Sequence, residues 1–167
     1  MLNQTESKNL RNMICGEVNP HNKDDDMKLE EFIDAMPVRM NRIFRAYLRN
    51  QDIAYIAKAY EIPEKMANAI VLRAIRKMRA PMPFWIAVKG YGGWLQYKER
   101  SLKNHSAVKV ATDKGHLSTK TKNILIKNGL ETYKMVMEYC DAYPDALATI
   151  PGLGKIGMAE VYQYLCN

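Results

Sequence analysis

Apolar positions in the middle of the chain recur at helical spacing. Met40, Ile43, Phe44, Tyr47 and Leu48 fall at i, i+3, i+4, i+7 and i+8, one face of a helix. Pro37 stands near the start of that helix, where a missing N–H costs little. Arg39, Arg42, Arg45 and Arg49 lie off the apolar face and form a basic edge, either a solvated face or a nucleic-acid surface. A shorter helix is expected from about Asp52 to Tyr60, with Ile53, Ile56, Ala57 and Tyr60 inward. After a turn at Glu61-Ile62, Pro63 opens a third helix. Its buried stripe is Ala67, Ile70, Val71, Ala74, Ile75 and Met78, and Lys65, Asn68, Ala69, Leu72 and Arg76 point the other way. Helix, short turn and helix with a polar outer face predict a helix-turn-helix, with a protein-binding bundle as the alternative.

The next stretch reads differently. Phe84 to Val88 is a continuous apolar run that could be a strand, Gly90 to Gly93 a turn, and Ser106 to Val110 a second strand. A small β-hairpin could therefore separate two helical modules. Trp85 and Trp94, mixed with Lys89, Lys98, Arg100 and Lys103, could stack on bases or pack the hairpin onto helices. Near the end, Ile150-Pro151-Gly152-Leu153-Gly154 precedes a helical run through Leu165. Two glycines one residue apart bend the backbone and leave the next helix's first N–H groups bare, a natural seat for a phosphate. This predicts a helix-hairpin-helix turn; a tight turn in a helical bundle is the alternative.

The first 27 residues read as a tail. Asn19 to Asp26 is polar and punctuated, and Leu10, Met13 and Ile14 could form one helical turn that docks elsewhere. The acidic run is either a solvated linker or a shield for the basic edge.

Charge adds a partner class. The formal net charge is +7, which favours a polyanionic partner. It is unevenly spread: residues 1–38 carry net −4, 39–81 net +7, 82–122 net +6 and 123–167 net −2. Cys15, Cys140 and Cys166 are far apart without a Cys-x-x-Cys spacing, and His21, His105 and His116 form no ligand pattern, so no cofactor or metal is expected. Cys140 fits the apolar face of a helix as a small core residue. No apolar run approaches the roughly 18 residues of a membrane span, and no signal peptide opens the chain. A reducing cytoplasmic setting is expected. Asp24, Asp25 and Asp26 are adjacent but lack a rigid scaffold for catalytic metal, and no other catalytic constellation stands out. The chain is read as a non-enzyme.

Two resemblances sharpen this. Phe32-Ile33-Asp34-Ala35-Met36-Pro37-Val38-Arg39, with Asp52 through Pro81 and the closing Arg73-Ala74-Ile75-Arg76-Lys77-Met78-Arg79, resembles bacterial sigma factor region four. That resemblance implies a module that reads an upstream promoter element and grips RNA polymerase. Its base-reading positions fall on Glu64, Lys65, Asn68 and Ala69. Leu117 to Leu125, Gly129-Leu130-Glu131-Thr132, Gly152-Leu153-Gly154-Lys155 and Glu160 resemble the C-terminal domain of the bacterial RNA polymerase alpha subunit. This implies minor-groove contacts by Lys120 and Asn123 and backbone contacts by Gly154-Lys155. Lysine stands at position 120 where that family has arginine, and Ile156 and Gly157 replace a phosphate-binding lysine and serine.

The chain is thus expected to be mainly α. A polar tail (1–27) leads to a helix-turn-helix module (28–81), an aromatic and basic connector (82–115) and a helix-hairpin-helix bundle (116–167). The expected DNA-binding residues are Arg39, Arg42, Lys65, Asn68, Arg73, Arg76, Lys120, Asn123, Gly152, Gly154 and Lys155. The expected function is a DNA-binding transcription regulator, encoded by a bacteriophage or mobile element. It would act at promoters through duplex DNA, A/T-rich in part, and bacterial RNA polymerase, with no membrane partner. The alternative is a protein-only polymerase binder that inhibits or appropriates transcription without reading DNA.

Overall fold

A computed structural model describes residues 1–16, 22–103, 109–113, 115–142 and 145–166. Among them the chain is mainly α, with ten α-helices, two 3-10 turns and no strand. One isolated bridge, Lys109 to Thr132, is the only β feature there. The helices fall into two compact units, Met1–Arg79 with Pro83–Tyr91, and Ala80–Met82 with Gly92–Asn167.

The first unit begins with one helix inside the region read as a tail and a second that starts there and runs beyond it. Helix α1 (Gln4–Cys15) opens on a reciprocal cap. The Asn3 side chain accepts from the Glu6 N–H, and the Glu6 carboxylate accepts from the Asn3 N–H, both at 2.9 Å. Leu10 and Ile14 are buried. Helix α2 (Lys23–Asp34) starts at Asn22 with the acidic run in its first turn, where the helix dipole favours negative charge. Asp26 is not solvated. It accepts from Arg11 Nη2 at 2.9 Å and from Ser7 Oγ at 2.7 Å, and the Arg11 and Asp26 side chains are 2% and 3% exposed. Arg11 also donates to the Ala87 carbonyl at 3.2 Å. Buried charge is tolerated when it is paired and hydrogen-bonded, so polar residues here serve a docked surface. Residues 17–21, which include the first three of the punctuated stretch, lie outside the described residues.

Helices α3 (Val38–Asn50), α4 (Ile53–Ala59) and α5 (Glu64–Met78) follow the apolar spacing. Ile43, Ile56, Ala57, Ala67 and Val71 form one core cluster, with Tyr47, Ile53, Ile62, Ile70 and Ile75 packed against it. Tyr60, expected inward, is exposed, and its hydroxyl donates to the Arg42 carbonyl at 3.1 Å. The turn between α4 and α5 uses Glu61 at φ +52°, and the Ile62 N–H reaches back to the Ala57 carbonyl at 3.0 Å. That six-to-one bond closes α4 and lets Pro63 begin α5 at once.

The hairpin read between the modules is helical instead. Phe84 to Val88 lies in α6 (Pro81–Lys89), and Gly92, Gly93 and Trp94 lie in α7 (Tyr91–Lys103). A short apolar run cannot distinguish a buried helix from a strand. Gly90, at φ +73°, breaks the two helices. An added Cβ there would stand 2.9 Å from an Asp25 carboxylate oxygen, whose partner oxygen accepts from the Tyr91 N–H at 2.7 Å. Residues 106–108 of the second expected strand lie outside the described residues; Val110 begins a 3-10 turn (Val110–Thr112).

In the second unit, Ser118 caps α8 (Thr119–Lys127) and Thr132 caps α9 (Tyr133–Asp141). A 3-10 turn (Ala146–Thr149) leads to α10 (Lys155–Cys166). Leu125, Leu130, Met135, Val136, Leu147 and Val161 are buried together with Tyr139. Gly129, at φ +81°, passes so close to the Trp94 ring that an added Cβ would stand 3.1 Å from it. Cys140 is half-buried, and burial pushes its thiol up to about 11.

Candidate nucleic-acid interface

Helix α5 buries Ala67, Val71, Ala74 and Met78, which turns Lys65, Asn68, Ala69, Leu72, Arg73 and Arg76 to solvent. No described carboxylate pairs with Lys65, Arg73 or Arg76. Lys77 and, on α4, Lys58 are exposed as well, two cations that the motif reading passed over. On α3 the basic edge divides. Arg39 and Arg42 are exposed, and Arg39 Nη2 lies 3.6 Å from Met66 Sδ at the start of α5. Arg45 is held by Asp34 at 2.7 Å and Glu30 at 2.9 Å. Arg49 is held by Glu6 at 2.6 Å. The Arg45 contact contributes to keeping the Asp34 carboxyl below its usual range. Burial pushes Glu30 up, but its bonds to the N-terminal amine and Arg45 outweigh that and leave it lowered. The first two helices thus neutralise the far half of the arginine edge, and no described carboxylate pairs with the half beside α5.

The turn before α10, with Lys155, and the exposed Lys120 on α8 form a second cationic surface. Gly152 takes φ +85°, and the first α10 ladder bond runs from the Met158 N–H to the Gly154 carbonyl at 3.0 Å. The N–H groups of Lys155, Ile156 and Gly157 precede that ladder. An added Cβ at Gly154 would meet nothing within 4 Å, so packing does not demand glycine there. A groove of about 380 Å³ lies between α8 and the hairpin, lined by Lys120, Ile124, Gly152, Gly154, Lys155 and Ile156 among others. Asn123 is exposed on α8 outside that lining.

Two features oppose a full phosphate seat. Ile156 is 79% exposed at the groove, where it offers no donor beyond its backbone. Glu160 also lines the groove and accepts from the Ser118 N–H at 2.9 Å. Hydrogen bonds from the Thr121 side chain and from Ser118 hold its carboxyl below the usual range. Gly157 is tightly packed: an added Cβ would stand 2.6 Å from Leu153 Cδ1 and 3.3 Å from Thr121 Oγ1, so the Leu153 side chain would have to shift.

The aromatic connector does not offer a stacking platform. Trp85 and Trp94 are 4% and 2% exposed. Lys89 lies 5.0 Å over the Trp85 ring and Lys98 5.6 Å over the Trp94 ring, and Lys98 also pairs with Glu131 at 2.7 Å. Among the described residues no group of His, Cys, Asp and Glu is placed to hold a metal ion, and no helix is long and apolar enough to cross a membrane. No protein-family model, curated protein or solved structure matches the chain.

Proposed function

We propose that the protein is a DNA-binding transcription regulator, non-enzymatic, encoded by a bacteriophage or mobile element and active in the bacterial cytoplasm. It acts at promoters, on duplex DNA and host RNA polymerase. The observation that carries this reading is the outward face of α5. Lys65, Arg73 and Arg76 stand there without described carboxylate partners, beside Arg39 and Arg42, while Arg45 and Arg49 are neutralised. Uncompensated cations on a helix that follows a tight turn suit a groove lined by phosphates. The hairpin groove, with Lys120, Asn123 and Lys155, suits tolerant minor-groove contact. Both sequence resemblances point to one machine, at neighbouring upstream promoter positions.

The test is duplex binding at two salt concentrations. Engagement of several phosphates releases counterions, so affinity should fall by orders of magnitude between about 50 and 200 mM salt. Absence of binding at low salt would leave the second reading, a protein-only polymerase binder. Ile156 favours that reading for the hairpin face, because a solvent-facing isoleucine beside Glu160 suits a protein surface better than a phosphate. Recovery of polymerase from bacterial lysate despite nuclease treatment would support the direct protein contact.

A further inference from the structure

The outward stripe of α5 is chemically mixed in a specific way. At 100° per residue, Lys65, Ala69, Leu72 and Arg76 fall within an arc of roughly 60°, opposite the buried Ala67, Val71, Ala74 and Met78. Leu72 is 49% exposed, and no apolar residue of the core cluster needs it. It stands between a lysine and an arginine, with Asn68 at one edge and Arg73 at the other. The only carboxylate on α5, Glu64, lies off this stripe. Lys65, Asn68, Ala69 and Leu72 also follow i, i+3, i+4 and i+7, the spacing with which a helix lying in the major groove presents side chains to base edges.

Unlike Ile156, which stands beside a carboxylate, Ala69 and Leu72 are flanked by cations, which suits a polyanion that carries an apolar group. The major groove is flanked by phosphates and carries one apolar group per A·T pair, the thymine C5-methyl. Ala69 and Leu72 are three residues apart, about 4.5 Å along the axis, close to the roughly 3.4 Å spacing of neighbouring base pairs. We propose that Ala69 and Leu72 set the specificity of the DNA site by contacting thymine methyl groups on neighbouring A·T pairs. Asn68, beside them, has the donor and acceptor needed for the adenine edge of such a pair. Lys65 and Arg76 hold the phosphates or guanines on either side. This inference rests on the DNA-binding reading above and narrows it to a site class.

The experiment uses the full chain. A site is selected from a random duplex pool at low salt, and each thymine in it is then replaced by deoxyuracil, which removes only the methyl group. The parent protein should lose about fourfold in affinity at each of two neighbouring positions, the worth of one buried methyl-sized group. In Leu72→Ala one of these two penalties should vanish and the other remain. A parent that distinguishes its selected site from scrambled duplex, yet binds the uracil-containing site equally well, overturns the methyl reading and leaves the proposed function standing. A pool from which no sequence is enriched overturns both. The uracil series on the parent decides the matter even if the Leu72 variant folds poorly.

Discussion

Replacing Asp26 with alanine should strongly destabilise the first unit. Asp26 and Arg11 are 3% and 2% exposed, joined at 2.9 Å, and Ser7 donates to the same carboxylate oxygen at 2.7 Å. The alanine variant leaves the Arg11 guanidinium buried with its charge uncompensated, and the Ala87 carbonyl at 3.2 Å cannot supply a negative charge. Breaking such a pair from one side costs about 3–5 kcal/mol, and the stranded Ser7 hydroxyl adds about 1 kcal/mol. Domains are stable by only about 5–15 kcal/mol, so this is a large share. With a urea slope of about 1.5 kcal/mol/M, the midpoint of the first unit's transition should fall by about 3–4 M. Arg11→Met with Asp26→Leu removes both charges and should recover most of the loss, because a buried pair is worth little over a packed apolar one. Urea unfolding followed by circular dichroism measures the parent and both variants. A cost below about 1 kcal/mol for Asp26→Ala would mean that α1 and α2 are not docked through this pair, and the assignment of the N-terminal segment to the folded unit would fall with it.

Further outcomes are expected elsewhere. Gly152→Ala should cost about 1–2 kcal/mol from the left-handed backbone alone, since the new Cβ has room 3.9 Å from Ile124, and thermal melting reads it. Gly157→Val should cost more, about 1–3 kcal/mol from overpacking against Leu153 and Thr121, with a lower melting temperature as the readout. Glu160 is lowered by its bonds to Thr121 and Ser118, so its contribution is complete above the ordinary carboxylate value of about 4.3 and is lost as pH falls through the lower folded value; hydrogen exchange of α8 amides should speed up across that acid window, and Glu160→Gln should flatten the dependence. Lys65→Ala with Asn68→Ala should flatten the preference for a selected duplex, whereas Lys120→Ala with Asn123→Ala should weaken selected and scrambled duplexes alike, each by about 1–3 kcal/mol in binding curves at fixed salt.

The helices most legible in the sequence are those whose apolar residues alone define a face. Helices α3, α4 and α5 bury Ile43, Phe44, Ile56, Val71 and Ala74 at helical spacing, and their solvent-facing residues follow by subtraction. Helices α1 and α2 were not legible in this way, because their inward faces include Glu6, Ser7, Arg11, Asp25 and Asp26. A hydrophobic pattern cannot register a polar residue whose partner lies elsewhere in the chain. One local signal was present, the Asn3 to Glu6 capping box. Helices α6 and α7 were obscured for opposite reasons. The first is apolar without a polar face, and the second contains two glycines that disfavour helix, a cost offset by burying Trp94. At the candidate interface, Lys65 and Asn68 could be placed outward from spacing alone, but the capture of Arg45 and Arg49 depends on the docking of α1 and α2 and has no local sequence mark.

The division of the chain into units bears on deletion mapping. The first unit is not one continuous stretch: it takes residues 1 to 79, gives up Ala80–Met82, and reclaims Pro83–Tyr91. Ala87, whose carbonyl receives Arg11, and Tyr91, whose N–H meets Asp25, both belong to the reclaimed piece. A truncation placed after Arg79, just beyond α5, would leave Arg11 without its carbonyl and Asp25 without its donor. Loss of activity in such a fragment would report a missing segment of scaffold rather than a missing function. The shortest informative N-terminal fragment ends after Tyr91.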